Sequence, residues 1–185
     1  MTDELTETLR EIVARLESQG IPYMLVGSMA ALAYGRDRST KDLDVVLEAG
    51  PSALRALVRS LPEERFYVSE EAAMEALRYE SQFNVLDMVT GWKVDLIPRK
   101  HRAFSEAEFA RRSQLDVMGV PTYVASVEDV IVSKLEWAKA GGSERQLEDV
   151  RELVRLKDTE LDRSYVDQWV ARLDLRELWD RAVSA

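Results

Sequence analysis

The stretch Val26 to Leu47, VGSMAALAYGRDRSTKDLDVVL, is the part of the chain that decides the fold. It is entered from a short apolar segment, PYMLV, which predicts a buried strand ending at Gly27 and Ser28. The small residues MAALAY predict a helix, and Ser28 is suited to be its N-cap. A basic loop then leads to DLDVVL, which predicts a second strand.

The turn between the first strand and the helix has the properties of a phosphate site. Gly27 lacks a Cβ, so the backbone can turn sharply and leave room for a bulky anion. The start of a helix offers N–H groups and positive dipole to a phosphate, which makes Ser28 a second candidate. In the basic loop, Arg38 and Lys41 could meet triphosphate oxygens. A solvated loop is the alternative interpretation of these two cations.

Two acids on the second strand indicate a metal site. Side chains of a strand alternate between its faces, so Asp42 and Asp44 share one face, about 7 Å apart along the strand. Two like charges so placed repel, and the pKa of one must rise unless a cation is present. Mg²⁺ or Mn²⁺, held by a few carboxylate oxygens with positions left for substrate phosphates, would remove the conflict.

A third acid lies on a predicted hairpin. The runs 83–90 and 92–97 are rich in strand-forming residues and are separated by Gly91. The second run places Asp95 in an apolar context, VDLI, where an acid is usually paired, metal-bound or at the end of a sheet. Asp87 in the first run is a rival of the same kind.

The C-terminal third predicts helices. Ser126 starts one whose apolar stripe includes Lys134, and a lysine on a buried face needs a specific role. Asp149 lies at the edge of the apolar face of the next helix. The chain therefore predicts an α/β (α+β) fold, with a mixed α/β lobe over 1–125 and a helical lobe over 126–185.

Composition restricts the class of protein. The 185 residues carry a net charge of -9 and no cysteine, which excludes disulfides and thiolate zinc sites. The charge disfavours broad electrostatic binding of DNA or RNA. No apolar run reaches membrane-spanning length and no secretory segment is apparent, so we expect a cytoplasmic protein without a membrane partner.

These motifs carry a resemblance. Gly27-Ser28 followed by Asp42-Leu43-Asp44 resembles the signature of the DNA polymerase beta-like nucleotidyltransferases. The string AALAYGRDRSTKDLDVVL and the later ASVEDVIVSKLEWAKAGGSERQLEDV are similar to a small bacterial branch of that superfamily. The branch includes the abortive-infection toxins of type IV toxin-antitoxin systems, and the resemblance covers residues 22 to 155.

The resemblance implies a mixed sheet flanked by helices and a helical lobe that completes a cleft. In that arrangement Asp42 and Asp44 hold Mg²⁺ on a triphosphate, and Asp95 completes the metal site on the acceptor side. Lys134 would meet phosphate or base, and Asp149 would orient Lys134 or the acceptor. The implied reaction moves an NMP from an NTP to an acceptor hydroxyl and releases pyrophosphate.

The sequence leaves the acceptor and the biological role open. The acceptor could be tRNA, a protein or a small molecule, and a cognate antitoxin could be a partner. One alternative is a catalytically silent nucleotide-binding or regulatory module. Another is an antibiotic nucleotidyltransferase, since an acidic protein would attract a cationic aminoglycoside.

Overall fold

The computed structural model describes residues 2–36 and 42–184, which fold into seven strands and nine helices. The strands are β1 (Tyr23–Leu25), β2 (Asp42–Leu47), β3 (Phe66–Val68), β4 (Phe83–Asp87), β5 (Lys93–Pro98), β6 (Ser113–Val117) and β7 (Val120–Val124). The helices are α1 (Thr2–Ser18), α2 (Gly27–Ala33), α3 (Pro51–Ser60), α4 (Glu70–Tyr79), α5 (Ala103–Ala110), α6 (Val127–Gly141), α7 (Glu144–Lys157), α8 (Arg163–Arg172) and α9 (Arg176–Val183).

The strands form a single mixed sheet in the order β3-β4-β5-β2-β1-β7-β6. Strand β2 runs parallel to β5 and antiparallel to β1, and β1 runs parallel to β7. The outer pairs β3-β4, β4-β5 and β6-β7 are antiparallel. The sheet with its flanking helices confirms the α/β class expected from the sequence.

One face of the sheet is the core face. Leu43 and Val45 of β2, Val94 and Leu96 of β5, and Val85 of β4 are all buried there. Helix α1 contacts β7, α4 contacts β4 and β5, and α3 contacts both of these helices. Because side chains alternate along a strand, the residues between these apolar positions point to the opposite face.

The last helices pack on one another and reach back to the sheet. Helix α6 contacts α7, α8 and α9, and it also contacts α2. Its start is fixed by Ser126, whose side chain accepts a hydrogen bond from the Asp129 N–H. Helix α6 thus brings its residues to the side of the sheet where α2 begins. No helix in the described ranges is both long and apolar enough to cross a membrane.

Candidate active site

The three predicted acids meet on the face opposite the core. Strands β2 and β5 are adjacent and parallel, and their register sets Asp44 beside Asp95 and Asp42 beside Lys93. Directly paired residues share a face, so Asp42, Asp44 and Asp95 lie on the same side of the sheet. Their apolar neighbours on each strand are turned to the core. The fold therefore places the third acid next to the first two.

Gly27 lies directly against one of these acids. Its φ is +62°, a left-handed conformation that favours glycine. A Cβ at this position would overlap the Asp44 Oδ2 and lie 3.1 Å from the Asp44 Cγ. The Val26 N–H also donates to the Asp44 backbone carbonyl at 3.0 Å. The turn and the acid are thus built as one unit, and a side chain on Gly27 would displace the carboxylate.

The other predicted phosphate residues have different outcomes. Helix α2 begins at Gly27, two residues before the expected start, and the Ala30 N–H donates to the Val26 carbonyl at 3.3 Å. The expected N-cap role of Ser28 is therefore wrong, because Val26 is the N-cap and has no side-chain oxygen to offer. Arg38 and Lys41 lie outside the described residues, so their contact with phosphate stays a prediction.

Burial and the clustered acids raise the pKa of Asp44 to about 6. Burial has the largest effect, followed by the charges of Asp95 and Asp42. The positive charges of Lys93 and Lys134 act in the opposite direction. A cation close to Asp44 would remove the cost of ionising it. This is the electrostatic signature expected of a cation-binding carboxylate.

Asp95 is held by a set of polar contacts. The Asn84 amide nitrogen donates to its Oδ1, and the Gln82 amide nitrogen lies 3.4 Å from its Oδ2. The Lys93 Nζ lies 3.0 Å from the same Oδ2 and 3.1 Å from the Asp42 Oδ1. These hydrogen bonds fix the orientation of the buried Asp95 carboxylate.

The roles of Asn84 and Lys93 are not predictable from the sequence. The alternation of β5 places Lys93 on the same face as Asp95, but this alone does not show the bridge to Asp42. Asn84 becomes visible only through the register of β4 against β5, which sets it opposite Asp95. A pairing over eleven residues of a hairpin with a long turn is not determined by local sequence.

The rival acid Asp87 has a different environment. It is buried on the core face, where its carboxylate accepts hydrogen bonds from the Thr8 hydroxyl at 2.8 Å and from Arg65 at 2.8 Å. It also accepts from the backbone N–H groups of Val89 and Thr90 in the hairpin turn. These four partners account for the burial of Asp87, and Asp95 is the hairpin acid beside Asp44.

Lys134 and Asp149 form a buried ion pair between α6 and α7. The Lys134 Nζ lies 2.6 Å from the Asp149 Oδ2 and 3.1 Å from the Gln146 Oε1. Arg36 follows α2 in the chain, and its Nη2 lies 3.1 Å from the Asp149 Oδ1. The Lys134 charge lowers the pKa of Asp44.

The donor set has the chemistry that Mg²⁺ prefers. Carboxylate oxygens are hard ligands, and Asp42, Asp44 and Asp95 supply three such groups on one face. In the described part of the chain, no group of three or more Asp, Glu, His or Cys side chains is arranged to hold a metal ion. The Lys93 ammonium lies between two of these acids, 3.1 Å from the Asp42 Oδ1 and 3.0 Å from the Asp95 Oδ2.

Comparison with known families agrees with this geometry. The family model described as nucleotidyl transferase of unknown function (DUF2204) matches residues 5–177. The chain belongs to this family. The match confirms the resemblance to nucleotidyltransferases, and it spans both the sheet and the helices that follow it. No curated protein matches the sequence significantly.

Solved nucleotidyltransferases share the fold of this family member. The antibiotic-resistance factor ANT(2'')-Ia superposes with a TM-score of 0.61 at 18% identity, covering 96% of this chain and 95% of that one. An antigenic nucleotidyltransferase-like protein from Paracoccidioides brasiliensis gives 0.61 at 18% identity, covering 99% and 93%. The lincosamide antibiotic adenylyltransferase LnuA, with lincomycin bound, gives 0.55 at 14% identity, covering 84% and 98%.

Proposed function

We propose that this protein is a metal-dependent nucleotidyltransferase that moves an NMP from an NTP to an acceptor hydroxyl. The observation that carries the proposal is the pairing of Asp44 with Asp95 on adjacent strands, with the Gly27 turn against Asp44. Asp42 completes the set on the same face. Family membership supports the transfer reaction, and the acid cluster supports its dependence on a divalent cation.

In the proposed reaction the acceptor oxygen forms a bond to the α-phosphorus. The bond from that phosphorus to the oxygen bridging to the β-phosphate breaks, and its electron pair leaves with pyrophosphate. The Asp95 carboxylate, oriented by Asn84, accepts the proton of the acceptor hydroxyl. The turn at Gly27 and Ser28 holds the triphosphate.

The carboxylates of Asp42, Asp44 and Asp95 would hold Mg²⁺ or Mn²⁺, which neutralises charge on the attacking and leaving oxygens when bound. Lys134 adds positive charge beside Asp44 and would contact a phosphate or the base. Asp149 positions the Lys134 ammonium through the 2.6 Å contact. In this proposal the site lies between a sheet lobe over 1–125 and a helical lobe over 126–185.

The open sheet face beyond Asp95 supports a small-molecule acceptor. Asn84 of β4 pairs with Asp95 of β5, and Leu86 of β4 pairs with Tyr67 of β3. Leu86 is 40% exposed and Tyr67 is 67% exposed. These three side chains are uncharged, and Lys93, which pairs with Leu86, is a single cation beside them, whereas an RNA acceptor would require several cations along its phosphates. A neutral or cationic acceptor fits this face, and a related structure contains ANT(2'')-Ia with adenylyl-2''-tobramycin.

The buried Lys134–Asp149 pair favours a second candidate role. Lys134 and Asp149 resemble a lysine and an aspartate of the abortive-infection branch, so a toxin that modifies RNA or protein and is restrained by a cognate antitoxin is a second candidate. A nucleotide-binding module without turnover is the remaining alternative. Calorimetry with each NTP, with and without Mg²⁺, separates it, because such a module binds nucleotide without releasing pyrophosphate.

The decisive experiment follows the label of each α-labelled NTP. The protein is incubated with Mg²⁺, a cell extract and an aminoglycoside or lincosamide in separate arms, and the label is traced to RNA, protein or small molecule. We expect labelled product with wild type and none with Asp44→Asn. Equal labelling by both proteins would contradict the assignment of the acids.

A further inference from the structure

Lys93 places a positive charge among the acids of the candidate site. Its Nζ lies 3.0 Å from the Asp95 Oδ2 and 3.1 Å from the Asp42 Oδ1, so one ammonium bridges carboxylates on two strands. The register places Lys93 directly opposite Asp42 and two residues from Asp95. The bridge therefore follows from the backbone pairing of β2 and β5.

Among the described residues, Lys93 is the cation in contact with both Asp42 and Asp95. Lys134 of α6 also lies near Asp44, but its Nζ is 2.6 Å from Asp149 in a buried pair. The amides of Asn84 on β4 and of Gln82, the residue before β4, donate hydrogen bonds to Asp95 without charge. Lys93 is in addition partly exposed, with 40% of its side chain accessible, so its long stem can move without unpacking the core.

We propose that Lys93 is a resident cation that bridges Asp42 and Asp95 until a divalent cation replaces it. This inference rests on the proposed function. A divalent cation entering alone must displace the ammonium and leave it without an anionic partner. A cation entering with an NTP brings phosphates that pair with the released ammonium. Lys93 thus couples binding of the cation to binding of the nucleotide, and the coupling acts equally in both directions.

The coupling is tested by Mn²⁺ affinity, which needs no turnover. The free Mn²⁺ signal in electron paramagnetic resonance is titrated with protein at pH 8, with and without a non-hydrolysable NTP analogue. Lys93→Met removes one positive charge near 4 Å from the site. In the absence of nucleotide, this variant should therefore bind Mn²⁺ at least about fivefold more tightly than wild type. The same variant should show a smaller gain in Mn²⁺ affinity when the analogue is added.

Two variants serve as controls. Lys139→Met removes the same charge from a similarly accessible lysine, 46% exposed and 2.9 Å from Asp174, and should bind Mn²⁺ like wild type. Lys93→Arg keeps the positive charge and should retain the weak affinity of wild type. Circular dichroism of each variant establishes that it is folded before the titration.

The outcomes distinguish a failure of the role proposed for Lys93 from a failure of the proposed metal-dependent function. Equal or weaker Mn²⁺ binding by folded Lys93→Met, while Asp44→Asn loses Mn²⁺ binding, would overturn the role of Lys93 and leave the metal centre standing. Absence of Mn²⁺ binding in every form, even with the analogue, would overturn both. Tighter binding in Lys93→Met alone, with reduced coupling to nucleotide, supports the proposal.

Discussion

The Gly27 backbone lies directly against the Asp44 carboxylate, and a single added methyl group would occupy the position of its Oδ2. The turn between β1 and α2 and the position of Asp44 on β2 therefore depend on each other. The same contact explains why a glycine is required here for two reasons. One is its positive φ, and the other is the lack of space.

We expect Gly27→Ala to reduce nucleotidyl transfer strongly, because the new methyl group pushes the Asp44 carboxylate away from its position beside Asp95. The left-handed backbone adds a loss of about 1 kcal/mol in the free energy of unfolding. Gly20→Ala is the matched control. Gly20 has the same φ of +62°, and a Cβ added there would meet no atom within 4 Å. Urea unfolding should show a loss of stability in both variants. Transfer rates should show a loss of activity only in Gly27→Ala.

Asp44→Asn should abolish transfer and stabilise the metal-free protein at neutral pH. Burial and the neighbouring acids raise the pKa of Asp44 to about 6, above its ordinary value of 3.8. The stability tied to its proton is therefore complete below about pH 4 and is lost as the pH rises through 6. Asparagine removes this loss, which is about 3 kcal/mol at pH 8.

The measurement is urea unfolding of both proteins in EDTA from pH 4 to 8. Wild type should lose stability across this interval more steeply than Asp44→Asn. Transfer by the variant should fall by roughly two orders of magnitude or more. Retained activity, or identical pH dependence of unfolding, would contradict the assigned environment of Asp44.

The sequence predicts the acid strand well because its information is local. Period-two alternation assigns Asp42 and Asp44 to one face, and this needs only the pleat of a strand. The partners of Asp95 are different, because they depend on the register of three strands brought together over about fifty residues. The bridge made by Lys93 and the hydrogen bond from Asn84 follow from that register, so no local pattern reveals them.

The start of helix α2 shows where a local rule fails. Ser28 fits the composition of an N-cap, yet the cap is Val26, since the Val26 carbonyl accepts from the Ala30 N–H. The tertiary contact between the Val26 N–H and the Asp44 carbonyl fixes the chain there. Propensity at a single position is a weak guide when long-range contacts set the turn.

Lys134→Met should lower both transfer and the free energy of unfolding. The lysine is buried 2.6 Å from Asp149, and removing it takes away the closer of the two cations that the described residues place at that carboxylate, while Arg36 stays at 3.1 Å. Loss of one member of a buried ion pair costs about 3–5 kcal/mol, and the contact with Arg36 should reduce the loss below that range.

The double variant Lys134→Met/Asp149→Asn separates structure from chemistry. With the buried carboxylate charge also removed, stability should recover by a measurable fraction relative to Lys134→Met, while transfer stays low because the positive charge beside Asp44 is absent. A double-mutant cycle in urea unfolding gives the coupling energy. Recovery of transfer together with stability would make the pair purely structural.

Glu108→Gln should stabilise the protein at alkaline pH. Glu108 of α5 is buried and accepts a hydrogen bond from the Ser133 hydroxyl at 3.1 Å. Burial chiefly, and then the charge of Asp129, raise its pKa to about 8 against opposition from Ser133 and Arg102. An acid with a raised pKa contributes stability that is complete below its unfolded value of 4.5 and is lost as the pH rises through 8.

Glutamine keeps the shape of the protonated acid and cannot ionise, so the unfolding free energy of Glu108→Gln should decline less between pH 5 and 9. The gain over wild type at pH 9 is expected to be a few kcal/mol. Glu106→Gln, on the exposed side of the same helix, should follow the wild-type curve. A wild-type curve that is flat over this interval would show that Glu108 stays ionised in the folded protein, with Arg102 as the cation that compensates for its burial.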